Sequence, residues 1–337
     1  MGDFLTLVST EEKEIDSFDY KQYVVNPESI NKEINDFFRG NIKRGYTLGI
    51  DMLDKYFVCK ENELYALTGR KGEGKTTITQ AIQIMHSIVN GLVWVVAYQE
   101  NADWGTKINY LNYFLGCKPR DVEINNPELY KKASDWIDKH FIFLNVEDIK
   151  TAVEVTKSII KSGINVHALV LDPVNSFKSG YQDTGNGYSD GVETARAVLK
   201  FTADYCTVYV SQHPNMSAQR LDRVLTPYDA EGGWWNNKAS YTWILHRQKD
   251  SNLNHLMVYN VRNKHTGGSP TQEGNSVIIE WLVTRVNLFM EQGMERGEDV
   301  VQMLIRKHNP LSVVMKEKEV DKLPIKSLED AFGENNG

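Results

Sequence analysis

The stretch Gly69-Arg70-Lys71-Gly72-Glu73-Gly74-Lys75-Thr76, followed by Thr77, has the spacing G-x-x-x-x-G-K-[ST], and the chemistry of that spacing is phosphate binding. Its glycines let backbone N–H groups close around phosphate oxygens, and a helix starting at Lys75 adds positive partial charge. Lys75 is then placed to reach the β and γ phosphates of a nucleotide, and Thr76 to hold Mg²⁺. The competing reading is a glycine turn with no ligand. Its context favours the nucleotide, because the apolar run "LYAL" precedes the loop and a helical stretch at 75–90 follows it.

A metal bound there needs a second acidic group to hold its water shell, and the end of a buried strand can aim one at the phosphates. "HALVLDP" supplies Asp172 in the Walker B role, although an Asp after a strand also begins turns. Hydrolysis further requires a group that orients and deprotonates water. "LVWVVAYQE" places Glu100 at the end of the strand after the loop's helix, as a general base or as a solvated carboxylate.

Positioning these groups falls to an alternation of strands and helices from about residue 45 to 290. "ELYALTG", "LVWVVAYQE", "VHALVLDP", "TVYVSQHP", "YTWILHR", "HLMVYNV" and "SVIIEWLV" read as strands, with helices at 75–90 and through "WGTKINYLNYFLG". Such alternation predicts an α/β fold with a mostly parallel central sheet flanked by helices. Ahead of it, residues 1–44 form an N-terminal segment in which Asn26-Pro27 starts a helix over about 27–40. Its apolar face, Ile30, Ile34, Phe37 and Phe38, must cover either the chain's own core or a neighbouring subunit. Residues 291–337 read as a charged extension ending in a mobile acidic tail, "KSLEDAFGENNG".

Composition narrows the function classes. The 337 residues are 41% apolar and 25% charged with net charge −7, a globular balance without an all-over basic surface. Nucleic-acid binding is left to a local stripe or channel. Cys59, Cys117 and Cys206 lack C-x-x-C pairing and read as inert buried thiols in a reducing compartment. With no apolar run of membrane-spanning length and no signal peptide, the expected location is the cytoplasm.

Beyond these residues the chain resembles the RecA-like ATPases, and within them the DnaB/Twinkle branch of hexameric replicative helicases. "GYTLGIDMLDKYF" at 45–57 is similar to the T-G-x-x-x-L-D motif ahead of that family's phosphate loop. "CTVYVSQHPN" at 206–215 is similar to its sensor strand, here ending in Gln212 and His213. "GGWWNNKASYTWILHR" at 232–247 is similar to the segment running from a DNA-contacting loop into the next strand. "HLMVYNVRNKHTGG" at 255–268 is similar to the segment that supplies an arginine finger, which makes Arg262 the finger, with Lys264 a helper. The same resemblance places the strand carrying the base next to the strand that leads into the phosphate loop. Two departures stand out: Asn260 replaces the family's lysine, and Ser240 the Asp before "WIL".

The resemblance implies ATP, or another NTP or dNTP, with Mg²⁺ as cofactor. It also implies catalysis by Lys75, Glu100, Asp172, Gln212, His213 and Arg262 at sites shared between subunits of a homohexameric ring. Single-stranded and forked DNA is the implied partner, gripped by two long polar loops, 175–191 and 215–237. Lys178, Arg220, Arg223 and Lys238 are the candidate phosphate contacts, and Asn236 and Asn237 add neutral hydrogen bonds. Trp234 and Trp235 either stack on bases or anchor the loop in the core. The implied activity is ATP-dependent unwinding, 5′ to 3′, in replication, with priming supplied by another protein. Small size, an isolated ATPase core and the acidic tail fit a phage or mobile-element enzyme, and that tail either engages a replisome partner or only solubilises. A RecA-type recombination ATPase forming filaments, and a regulatory or packaging ATPase indifferent to DNA, are the alternatives.

Overall fold

The computed structural model of the chain describes residues 26–39, 45–50, 54, 58–100, 103–181, 184–220, 223–247, 253–259, 277–282, 285–289 and 299–311. Contacts divide the chain into two units, Met1–Lys43 and Arg44–Gly337. In the first, helix α1 spans Pro27–Phe38. Its start follows from local chemistry: the Asn26 side chain accepts from the Glu28 N–H at 2.9 Å, and Pro27 needs no partner in the first turn. Ile30, Ile34 and Phe38 on this helix are exposed.

The second unit is built on one sheet. Its described strands are β1 Leu64–Thr68, β2 Val93–Tyr98, β3 Phe141–Phe143, β4 Val166–Asp172, β5 Thr207–Gln212, β6 Tyr241–Arg247, β7 Leu253–Tyr259, β8 Val277–Leu282 and β9 Arg285–Phe289. They lie in the order β3-β2-β4-β5-β1-β6-β7-β8-β9. Every pairing from β3 to β6 is parallel, and β7, β8 and β9 continue antiparallel. The helices of this unit are α2 Lys75–Asn90, α3 Asp103–Leu115, α4 Pro119–Asn125, α5 Pro127–His140, α6 Ile149–Lys161, α7 Gly187–Asp204, α8 Met216–Gln219, α9 Trp234–Lys238 and α10 Val300–His308.

β1, β4 and β5 are buried at every position, as strands covered on both faces must be. Alternate side chains serve the two faces. Tyr65, Leu67, Trp94, Val96 and Val170 pack against Ile78 and Ile84 of α2, Tyr110 and Phe114 of α3, and Trp136 of α5. Leu64, Ala66, Val95, Leu169 and Leu171 pack against Val153 and Ile159 of α6 and Ala195, Val198 and Phe201 of α7. Register across the centre is marked by a tyrosine row: Tyr65 lies opposite both Tyr209 and Tyr241 and stacks on each, with ring centroids 4.4 and 4.8 Å apart. Such pairs add roughly 0.5–1.5 kcal/mol each beyond their burial.

Three expectations change. The strand leading to Glu100 does not neighbour the phosphate-loop strand, because β4 and β5 stand between β2 and β1. Parallel crossovers of different lengths set that order, and adjacency in sequence does not. The long loops are also shorter and more structured than their polarity suggests. The first ends at Gly187, where Asn186 caps α7 by accepting from the Ser189 N–H at 3.3 Å; the second contains α8, a 3₁₀ turn at Pro227–Asp229, and α9. Finally, Cys117 is exposed, while Cys59 and Cys206 are buried and burial pushes both thiols up to about 12.

The segment read as a charged extension contributes to the core. Asp299 caps α10 by accepting from the N–H groups of Val301 and Gln302 at 3.0 and 3.3 Å. Val300, Val301 and Leu304 then enter the apolar layer beside α2 and α3, and the Gln302 amide donates to the Tyr113 and Phe114 carbonyls at 3.0 and 3.1 Å. No helix among the described residues is long and apolar enough to cross a membrane. Leu304→Ala should lower unfolding free energy by about 2–5 kcal/mol, read by chemical denaturation. A loss under about 0.5 kcal/mol would place α10 outside the cooperative core.

Candidate active site

Parallel strands finish at one edge of a sheet, and that edge collects the candidate groups. β1 ends at Thr68, one residue before the phosphate loop; β2 ends two residues before Glu100; β4 ends on Asp172 and β5 on Gln212. The loop closes as its glycines require. Gly72 and Gly74 have φ of +82° and +90°, left-handed values that L side chains rarely adopt. At Gly69 a Cβ would come within 3.1 Å of the Leu245 carbonyl oxygen on β6. Helix α2 begins directly after Gly74 and ends at Gly91, whose N–H returns to the Ser87 carbonyl at 3.0 Å.

Lys75 is buried and folded back on its own loop, donating to the Gly69 and Arg70 carbonyls at 2.9 and 3.3 Å. Burial lowers its pKa, opposed by the nearby carboxylates of Asp172, Glu100 and Glu73. Asp172 shows the complementary strain. Its Oδ1 accepts from the Ser211 hydroxyl, while Oδ2 is buried with no hydrogen-bond partner among the described residues. Burial raises the Asp172 carboxyl, and Ser211, Thr76 and Lys75 pull it back. A buried carboxylate within reach of the Thr76 hydroxyl fits a divalent cation, so Thr76 and Asp172 are the residues that would hold Mg²⁺.

Glu100 is exposed and meets His213 with Oε1 3.2 Å from Nε2. The backbone of His213 is pinned by Asn175, whose Oδ1 accepts from its N–H at 3.1 Å and whose amide donates to the Glu231 carbonyl at 3.3 Å. Gln212 points elsewhere: it is fully buried, and its amide donates to Asn236 Oδ1 at 2.6 Å.

The candidate DNA contacts separate. Lys178 is exposed and pairs with Glu147 at 3.0 Å, while Arg220 and Asn237 are exposed and Lys238 half-buried. Asn236 is not a surface group: it is buried, and its amide also donates to the Pro227 carbonyl at 2.5 Å. Trp235 is buried, and Trp234, half-buried, meets Tyr188 edge-on at 5.8 Å, which is the anchoring arrangement. Arg223 is held by both oxygens of Asp229, at 2.7 and 2.8 Å. Arg262, Asn260, Lys264 and the acidic tail lie outside the described residues, as does most of the 51–57 stretch. From that stretch, Asp54 accepts from the Leu48 and Ile50 N–H groups at 2.6 and 2.9 Å and so shapes the turn.

Residues that sequence reasoning passed over include Ser211, Asn175 and Asp229. Ser211 became relevant only through register, since Leu171 lies opposite Val210 and the next residues are Asp172 and Ser211. Asn175 lies three residues after Asp172 at the end of β4 and had a findable signal, a short polar side chain just beyond a candidate metal-holding Asp. Asp229 sits six residues after Arg223, with nothing local to mark the pair.

No protein-family model matches the chain, and no curated protein matches it. Solved structures do. The ATPase domain of G40P aligns over 76% of this chain and 95% of its own, with 11% identity and a TM-score of 0.60. A DnaB-like replicative helicase, described with its interactions with primase, aligns over 77% of this chain and 65% of its own, with 12% identity and a TM-score of 0.59. At such identities the likeness is one of fold, and the fold is that of the RecA-like ATPases.

The Arg223 guanidinium, helped by the Thr226 N–H and hydroxyl, holds the Asp229 carboxyl down at about 2. A carboxyl depressed on folding stabilises above its unfolded pKa, near 4, and that contribution is lost as pH falls through the folded value. The stability gap between the protein and Asp229→Asn should therefore be constant above about pH 5 and shrink by about half near pH 3, in denaturation curves at each pH. A gap unchanged at pH 3 would contradict the pairing.

Proposed function

We propose that the chain is an ATP-dependent DNA helicase, a homohexameric ring that moves 5′ to 3′ on single-stranded DNA and displaces the complementary strand during replication. The observation that supports it most is the gathering of Lys75, Thr76, Asp172 and Glu100 at the strand ends of a RecA-like sheet. From the same edge rise the segments after β4 and β5, which suits a motor whose load sits beside its fuel. The neighbour described as a DnaB-like replicative helicase points the same way. On this reading the protein works in the cytoplasm, that of a host if it is phage-encoded.

In the proposed cycle Lys75 leaves the Gly69 and Arg70 carbonyls for the β and γ phosphates, and the 72–77 amides close on them. Mg²⁺ held by Thr76 and Asp172 would neutralise charge on the phosphate oxygens. Glu100, steadied by the His213 ring, takes the proton of the attacking water. Arg262 of an adjacent subunit completes the site, so turnover depends on assembly. Lys178, Arg220, Asn237 and Lys238 offer contacts to the DNA backbone. The acidic tail would engage a polymerase, primase or single-strand binding protein.

Strand displacement on a forked duplex with a 5′ tail tests the proposal. The protein should unwind it with ATP and Mg²⁺, Lys75→Ala should not, and Glu100→Gln should bind nucleotide normally while hydrolysing it about 10²–10⁴-fold more slowly. DNA-stimulated hydrolysis without unwinding would favour a recombination ATPase. Hydrolysis indifferent to DNA would favour a regulatory or packaging ATPase.

A further inference from the structure

Arg70 occupies a variable position of the phosphate loop, yet it is the loop's link to a segment 153 residues away. Its guanidinium Nη2 donates to the Arg223 carbonyl at 2.6 Å. Its other end is bound inside the loop: the Arg70 N–H donates to Glu73 Oε2 at 2.5 Å, and Nη1 lies 3.3 Å from Oε1. A planar guanidinium can span two such acceptors at once, which an ammonium cannot do with the same geometry.

The receiving segment is a rigid turn. Arg223 forms its two-point pair with Asp229, and Asp229 Oδ2 also accepts from the Thr226 N–H and hydroxyl at 2.7 and 2.9 Å. This turn is tied back to the sensor strand twice. The Asn215 N–H donates to the Asp229 carbonyl at 2.8 Å, and Asn236 bridges the Pro227 carbonyl to Gln212. A continuous chain of hydrogen bonds thus runs from the phosphate loop, through the 223–229 turn, to the end of β5.

We propose that Arg70 and the Arg223–Asp229 pair are positioning residues that transmit nucleotide occupancy of the phosphate loop to the 213–238 segment. This rests on the helicase reading for the identity of the load, though the transmission itself does not require DNA. The two states differ in contacts that Arg70 feels directly. Phosphate in the loop draws Lys75 off the Arg70 carbonyl, adds negative charge beside the buried Glu73 carboxylate, and competes with Glu73 for the Arg70 guanidinium. Each change shifts the preferred place of the guanidinium, and the Arg223 carbonyl follows or is released. Occupancy can bias the turn only through such differential contacts.

Two readouts on the full chain test it. In the first, trypsin cleavage after Arg220 and Arg223 is timed with and without a non-hydrolysable ATP analogue. Occupancy should change the rate about fivefold in the unaltered protein, and by less than about twofold in Asp229→Asn and in Arg70→Lys. A merely structural role would alter the basal cleavage rate and leave the fold-change intact, which overturns the proposal. In the second, single-stranded DNA affinity is compared with ATP analogue and with ADP. The ratio should collapse towards one in Asp229→Asn while DNA-free ATP turnover stays within about twofold, and Asp229→Glu should restore part of it. A ratio of one in the unaltered protein, beside nucleotide-dependent cleavage, would sink the DNA motor and leave the tether standing. Nucleotide-dependent cleavage that persists in both variants would sink the tether alone.

Discussion

Parallel pairing from β2 through β6 obliges these strands to finish on one edge, and among the described residues Lys75, Glu100, Asp172, Gln212 and His213 follow from the strand ends at that edge. Burial of both sheet faces, by α2, α3 and α5 on one side and α6 and α7 on the other, makes the arrangement stiff. It also creates an electrostatic debt. Asp172 and Lys75 are both charged groups withdrawn from water at the strand ends, and burial opposes the charge on each. Such a site is most comfortable when a cation and an anion arrive together, which is what a metal-bound nucleotide supplies.

The local signals were legible because they depend on few neighbouring residues. Gly72 and Gly74 take left-handed positions in the 69–76 loop, and α2 begins and ends within the limits its sequence predicts. Asp172 was legible because an apolar strand ends on it. What escaped depends on pairing across long separations. The order β2-β4-β5-β1 is invisible from sequence adjacency, and so is the approach of Ser211 to Asp172. Gln212 and Asn236 illustrate the same limit: the sequence reads one as a sensor and the other as a DNA contact, but the Gln212 amide donates to Asn236 Oδ1 in the interior.

Polarity misled in the segments after β4 and β5. Both look like loops, but Asn186, Asn215 and the Thr226–Asp229 pair start helical turns by taking up free N–H groups. The described residues of 213–238 therefore carry helical turns and their own ion pair, joined by hydrogen bonds to the end of β5 and to Arg70. Charge misled similarly near the C-terminus, where Arg306, Lys307 and His308 close the last turn of α10 and its opposite face carries Leu304 into the core.

The central claim is that Thr76 and Asp172 face one metal beside one nucleotide. Iron(II) substituted for Mg²⁺, with a non-hydrolysable ATP analogue and an oxidant, cleaves backbone close to the bound metal, and the cut sites can be mapped by mass spectrometry. The account predicts cuts in both the 69–77 loop and the end of β4 around Asp172, present only with the nucleotide. Cleavage at neither place, or cleavage there that ignores the nucleotide, would contradict it.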